Sequence, residues 1–132
     1  MELRLALALV LLGLSACSES AIATASRRQI VIEHSRFDPA EINVREGDTI
    51  TFVIRNTDPI DHELIIGNTE VQRAHEAGTE EHHGTKPGEV TIPAGTTRET
   101  TYTFASAGRL IYGCHLPRHY DYGMRGVISV RP

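Results

Sequence analysis

The chain has 132 residues and a formal net charge of −4. That length suits one domain, long enough to bury a core without disulfide staples. A mildly acidic chain with no basic run is a poor match for nucleic acid, and no internal repeat suggests a solenoid.

The first sixteen residues read as a targeting signal. Residues 1–4 carry one Arg, and residues 5–14 are an apolar run of about ten, too short to span a bilayer and right for a secretory signal. Leu14, Ser15, Ala16 and Cys17 follow, and this stretch resembles the lipobox of bacterial lipoproteins. The resemblance implies that residues 1–16 are removed as a lipoprotein signal peptide and that Cys17 is acylated; an ordinary signal peptide is the alternative. Two or more acyl chains suffice for stable anchoring. Residues 17–28, small and polar at their start, are expected to form a flexible tether, with the domain proper over residues 29–132.

From Gln29 onward the texture is that of short strands. Ile30, Val31 and Ile32 are a β-branched run, and turn chemistry surrounds Asp38 and Pro39 over residues 35–40. His34, beside Arg36 and Phe37, also lies in a turn and reads as structural or exposed. Ile42 and Val44 alternate with polar neighbours, and residues 49–56 alternate again, with Ile50, Phe52 and Ile54 on one face. Another strand leads from His62 through Leu64, Ile65 and Ile66. Strands resume at residues 89–92 and 98–104, residues 109–113 run into Cys114, and residues 126–130 close the chain. Short strands parted by turn signals predict an all-β, Greek-key β-sandwich.

Residues 68–88 interrupt this pattern with an irregular or short helical insertion. They hold His75, His82 and His83 among Glu70, Glu76, Glu80 and Glu81. On a helix His75, Thr79 and His82 or His83 would share a face, although Gly78 weakens a helix there. Two readings stand: a solvated polar loop, or a loose, secondary metal site at His75, His82 and His83 that captures a metal ion or docks a partner.

The densest chemistry lies in residues 114–124, where Cys114, His119 and Met124 stand at Cys-x4-His-x4-Met spacing. One Cys sulfur, two His nitrogens and a weak axial Met make a trigonal copper site acceptable to both oxidation states. The second imidazole must come from elsewhere, and His62, at a strand end, is the best placed. His115 is the competing nitrogen. In an extended segment consecutive side chains point to opposite faces, so His115 should turn away from a metal on Cys114, toward solvent or a supporting role. Zinc would favour more thiolates and has no use for a thioether. A binuclear copper site needs a second Cys where Arg118 stands. With Cys17 assigned to lipid, copper ligation also explains why an exported chain keeps Cys114 out of a disulfide.

On these residues, positions 29–132 resemble the cupredoxins, the small blue-copper proteins. The ligand spacing is similar to that of rusticyanin and sulfocyanin, and one residue longer before the Met than in azurin. The resemblance implies one type 1 copper ion, with His62, Cys114 and His119 as equatorial ligands and Met124 as the axial one. It also implies that His119 lies near an apolar surface patch, which Leu116, Pro117, Tyr120 and Tyr122 would line. Arg118 departs from the family, which often has Gly after the Pro. The implied function is one-electron transfer without enzymatic bond making, with redox partners such as a cytochrome or an oxidase. The expected protein is a monomer, lipid-anchored to a bacterial membrane, its domain in the periplasm or at the cell exterior. The rival reading is a copper chaperone or storage module, to which the His-rich insertion would contribute.

Overall fold

The computed structural model describes residues 26–78 and 86–132. The expected signal segment, Cys17, His82 and His83 lie outside the described residues. The strands in chain order are β1 (Ser26–Glu33), β2 (Arg36–Asp38), β3 (Glu41–Arg45), β4 (Thr49–Asn56) and β5 (His62–Gly67). A helix, α1 (Thr69–Glu76), follows, and then β6 (Glu89–Ile92), β7 (Thr97–Thr103), β8 (Gly108–Gly113) and β9 (Arg125–Arg131).

The strands form two sheets, one ordered β2-β1-β4-β7 and the other β3-β9-β8-β5-β6. The sheets are mixed, because β1 runs parallel to β4 and β3 parallel to β9 while the other pairs are antiparallel. Period-two alternation decides which side chains meet between them. From β4, Ile50, Phe52 and Ile54 turn inward, and from β9 and β3 come Ile128, Val130, Ile42 and Val44. Phe52 meets Phe104 edge-on, with centroids 6.4 Å apart. A buried side chain of this size contributes about 1.5–3 kcal/mol by leaving water. Tyr112 lies against Phe37, and Gly126 makes room for it: a Cβ at Gly126 would stand 2.1 Å from the Tyr112 ring.

The β1–β2 connection differs from the sequence expectation. Arg36, Phe37 and Asp38 are strand rather than turn, and Glu33 lies opposite Arg36, so the tight turn is His34 and Ser35 alone. Both have positive φ, 52° and 53°, as two-residue hairpins that follow the sheet twist require. The first strand also begins earlier than the expected domain start, since Ser26, Arg27 and Arg28 pair with Ile50, Thr51 and Phe52 of β4.

Strand β5 is buried along its whole length, because α1 covers the face that the core does not. Asn68 caps α1 by accepting from the Glu70 and Val71 amides. Gln72 is only 2% exposed, and its Nε2 donates to the carbonyls of Ile65 and Ile111, stitching the helix to β5 and β8. Gly67 permits the close approach: a Cβ there would stand 2.5 Å from the Val71 side chain. The first half of the insertion is therefore a docked helix.

Candidate metal centre

His62 opens β5, and Cys114 follows β8. Ile65 lies opposite Gly113, which brings these two side chains together at one end of the second sheet. From Cys114 the chain makes a tight excursion and returns at Met124. The Cys114 amide donates to Met124 O, the Met124 amide to His119 O, and the His119 amide to Leu116 O. These bonds fix where His119 and Met124 can stand. Arg118 adopts φ +70°, the left-handed conformation a glycine would take, and its guanidinium sits over the Tyr122 ring at 5.4 Å from the centroid.

Three donor atoms converge. Cys114 Sγ lies 3.3 Å from His119 Nδ1 and 4.0 Å from His62 Nδ1, and the two imidazole nitrogens are 3.3 Å apart. Among the described residues, His62, Cys114 and His119 are the one set of three or more His, Cys, Asp or Glu residues with ligand atoms all within 4.8 Å of one another. Met124 is fully buried in the adjoining core, with its backbone held between Cys114 and His119.

Hydrogen bonds orient these donors. The Glu63 amide donates to Cys114 Sγ at 3.4 Å, and the Glu63 carboxylate accepts from the His115 amide at 2.8 Å. His62 Nε2 donates to Asp58 Oδ2 at 2.8 Å, which leaves the lone pair on Nδ1 facing Cys114 and His119. Burial disfavours the Asp58 carboxylate, but the Ser35 amide, the His62 ring and the His34 amide outweigh it and hold its pKa below the ordinary value. At His119, burial and then the neighbouring His62 keep the imidazole neutral to lower pH than usual. Burial pushes the Cys114 thiol up to about 12, against the pull of the Glu63 and Leu116 amides. A metal ion must therefore displace that proton on entering.

The cluster fits a transition-metal ion. Donors about 2.0–2.3 Å from one centre in a trigonal arrangement stand about 3.5–3.8 Å apart, close to the spacings seen here. Two imidazoles and a sulfur facing one point make a cradle for a cation. Copper suits this set of two nitrogens and one sulfur, with a thioether in the adjoining core.

The other expected residues fall elsewhere. His115 turns away from the centre as anticipated, but not into solvent. Its side chain is 2% exposed, stacked on Tyr120 and held by Glu76 and by Gln72 Oε1 at 2.6 and 2.7 Å. His75 lies on α1, bonded to Val71 O and facing Glu89 and the His115 ring. Leu116 and Tyr120 are half-buried and Pro117 is exposed beside His119, while Tyr122 is 62% exposed. Sequence reasoning missed Asp58 and Glu63. The available signal was the polar run Asn56, Thr57, Asp58 directly ahead of His62, where a solvated turn and a ligand support look alike in sequence.

A mixed β-sandwich with a His-Cys-His cluster at one end, His62 and Cys114 buried and His119 half-buried, defines the mononuclear copper class, the cupredoxins. Residues 26–131 match the model of the copper binding proteins of the plastocyanin/azurin family, and the chain belongs to that family. It is 36% identical over 117 residues to the copper-resistant cuproprotein CopI of Rubrivivax gelatinosus, covering 86% of this chain and 70% of the relative. The CopI of Pseudomonas aeruginosa is 28% identical over 143 residues, covering 83% of this chain and 79% of that one. Among solved structures, reduced auracyanin from the photosynthetic bacterium Roseiflexus castenholzii superposes with a TM-score of 0.66 at 26% identity, covering 83% of this chain and 99% of that one. Copper is thus the cofactor of the family, and His62, Cys114 and His119 form the candidate site for it.

Proposed function

We propose that this chain is a type 1 copper protein that exchanges single electrons in the bacterial cell envelope. His62, Cys114 and His119 would hold the ion through two imidazole nitrogens and a thiolate, and Met124 would offer it a weak thioether. Bound copper supplies the one-electron couple. The protein supplies a donor set that both oxidation states accept, so the site barely rearranges between them and transfer is fast. The observation that carries the reading is how firmly the donors are framed: Cys114 Sγ by the Glu63 amide, His62 by Asp58, and the Met124 backbone between Cys114 and His119. No bond of a substrate is made or broken, so the protein is a carrier and not an enzyme. Electrons leave through His119 to a redox protein that docks on Leu116, Pro117, Tyr120 and Tyr122. The domain works as a monomer, exported by residues 1–16 and anchored through acylated Cys17; fatty-acid labelling that persists in Cys17→Ala would contradict the anchor.

A second reading is favoured by the CopI relatives, which are named for copper resistance. In that reading the same centre withholds or passes on copper, and His75, His82 and His83 assist. Stopped-flow measurement on the copper-loaded domain separates the two. The carrier exchanges electrons with a small one-electron reductant orders of magnitude faster than it yields copper to a chelator, and changing the three histidines to Ala leaves both rates alone. Copper release as fast as electron exchange, slowed by the triple change, would establish copper handling instead.

A further inference from the structure

Asp58 is 7% exposed, and both its carboxylate oxygens are occupied. Oδ1 accepts from the His34 amide at 2.7 Å, and Oδ2 accepts from the Ser35 amide and from His62 Nε2, each at 2.8 Å. Its own amide donates to Asn56 Oδ1 at 3.0 Å, and the Asn56 amide group is tied in turn to the carbonyls of Ile60 and Ile92. The carboxylate therefore cannot swing away. His34 and Ser35 hold left-handed conformations that residues other than glycine rarely adopt, and the carboxylate both uses and stabilises them by gathering their amides onto one anion.

We propose that Asp58 is a positioning residue for the copper centre, one that locks His62 with its proton on Nε2 and its Nδ1 lone pair on the metal, and that favours Cu(II) over Cu(I). The inference rests on His62, Cys114 and His119 being the copper site, and not on whether that site carries electrons or copper. An ionised carboxylate has no proton to give, so His62 Nε2 must donate and Nδ1 is left free. A carboxylate behind a ligating imidazole also raises its basicity, which a doubly charged ion rewards more than a singly charged one. Electrostatics acts in the same direction. Cu(I) with the Cys114 thiolate is formally neutral, whereas Cu(II) with it carries one positive charge, and a buried anion stabilises the charged pair more.

The test is Asp58→Asn, with Cu(II) and Cu(I) affinities measured by competition and the reduction potential by voltammetry. Cu(II) affinity should fall about 10–100-fold. Cu(I) affinity should fall less, and the potential should move positive by ~59 mV for each tenfold change in their ratio. Because the substitution also loosens the hairpin turn, the same change is made in a His34→Asn, Ser35→Gly background, whose turn needs no side-chain acceptor. The shift should persist there. Nitrogen NMR of the metal-free wild type should show His62 protonated at Nε2 and bare at Nδ1, and this reading stands whether or not the variants fold. A folded Asp58→Asn protein with an unchanged affinity ratio and potential would overturn the inference, as would a proton on Nδ1. A wild type that binds no copper at His62, Cys114 and His119 would instead overturn the site itself.

Discussion

Cys114 is buried, flanked by two imidazoles, and has its thiol pushed up to about 12 by that burial. Copper binds the thiolate, so loading must expel the proton that burial retains. The sign follows: below about pH 12 the metal-free protein holds one proton more at Cys114 than the loaded protein does. His119, kept neutral to lower pH than usual, adds no second proton near neutrality. Copper affinity should therefore climb about tenfold per pH unit between roughly pH 6.5 and 8.5, with about one proton released per ion. Calorimetry in buffers of different ionisation enthalpy measures both, and a pH-independent affinity would contradict a thiolate ligand. At this scale the sequence was most legible at Cys114, His119 and His62, chosen for residue type, spacing and place at a strand end, whose donor atoms the fold brings within 4.8 Å of one another. It was least legible at Asp58 and Glu63. Carboxylates are common in solvated turns, and only the fold turns these two toward a ligand. Arg118 lies between: its departure from glycine was visible, but its left-handed backbone and its contact with Tyr122 were not.

Among the elements, α1 decides how the copper end of the second sheet is closed. Gln72 holds it with two donated hydrogen bonds and one accepted from His115. Gln72→Ala would leave the buried carbonyls of Ile65 and Ile111 without these bonds and His115 Nε2 without its acceptor, while Nδ1 keeps Glu76. Each such loss costs about 1–3 kcal/mol, so the variant should lose about 2 kcal/mol or more in urea unfolding. A change within about 0.5 kcal/mol, the size expected of an ordinary surface substitution, would mean that the helix is an appendage. The insertion was only partly readable, because Asn68 and the acidic Glu70 in the first turn are helix signals while Gly78 ends the pattern early. Its covering role was hidden, since a strand buried on both faces loses the alternation by which strands are recognised. The β1–β2 turn was drawn too long, over Arg36, Phe37 and Asp38, for a related reason. His34 and Ser35 lack the Asn-Gly signature of a two-residue hairpin, and the Asp58 carboxylate that permits them lies 24 residues away for His34.

For the whole molecule, the order of short alternating strands already specified the sandwich, and the structure adds the mixed pairing that joins β1 to β4 and β3 to β9. Antiparallel pairing sets β5 beside β8 in the second sheet, so the donor atoms of His62 and Cys114, 52 residues apart in the chain, meet at one end of a rigid frame. The central claim is that a single copper ion is bonded there to Cys114, and the visible spectrum of the Cu(II)-loaded domain tests it most directly. One copper per chain with an intense charge-transfer band in the wild type, and none in Cys114→Ser, is the predicted result. A colourless wild type that still binds one copper, or a band that survives in Cys114→Ser, would contradict it.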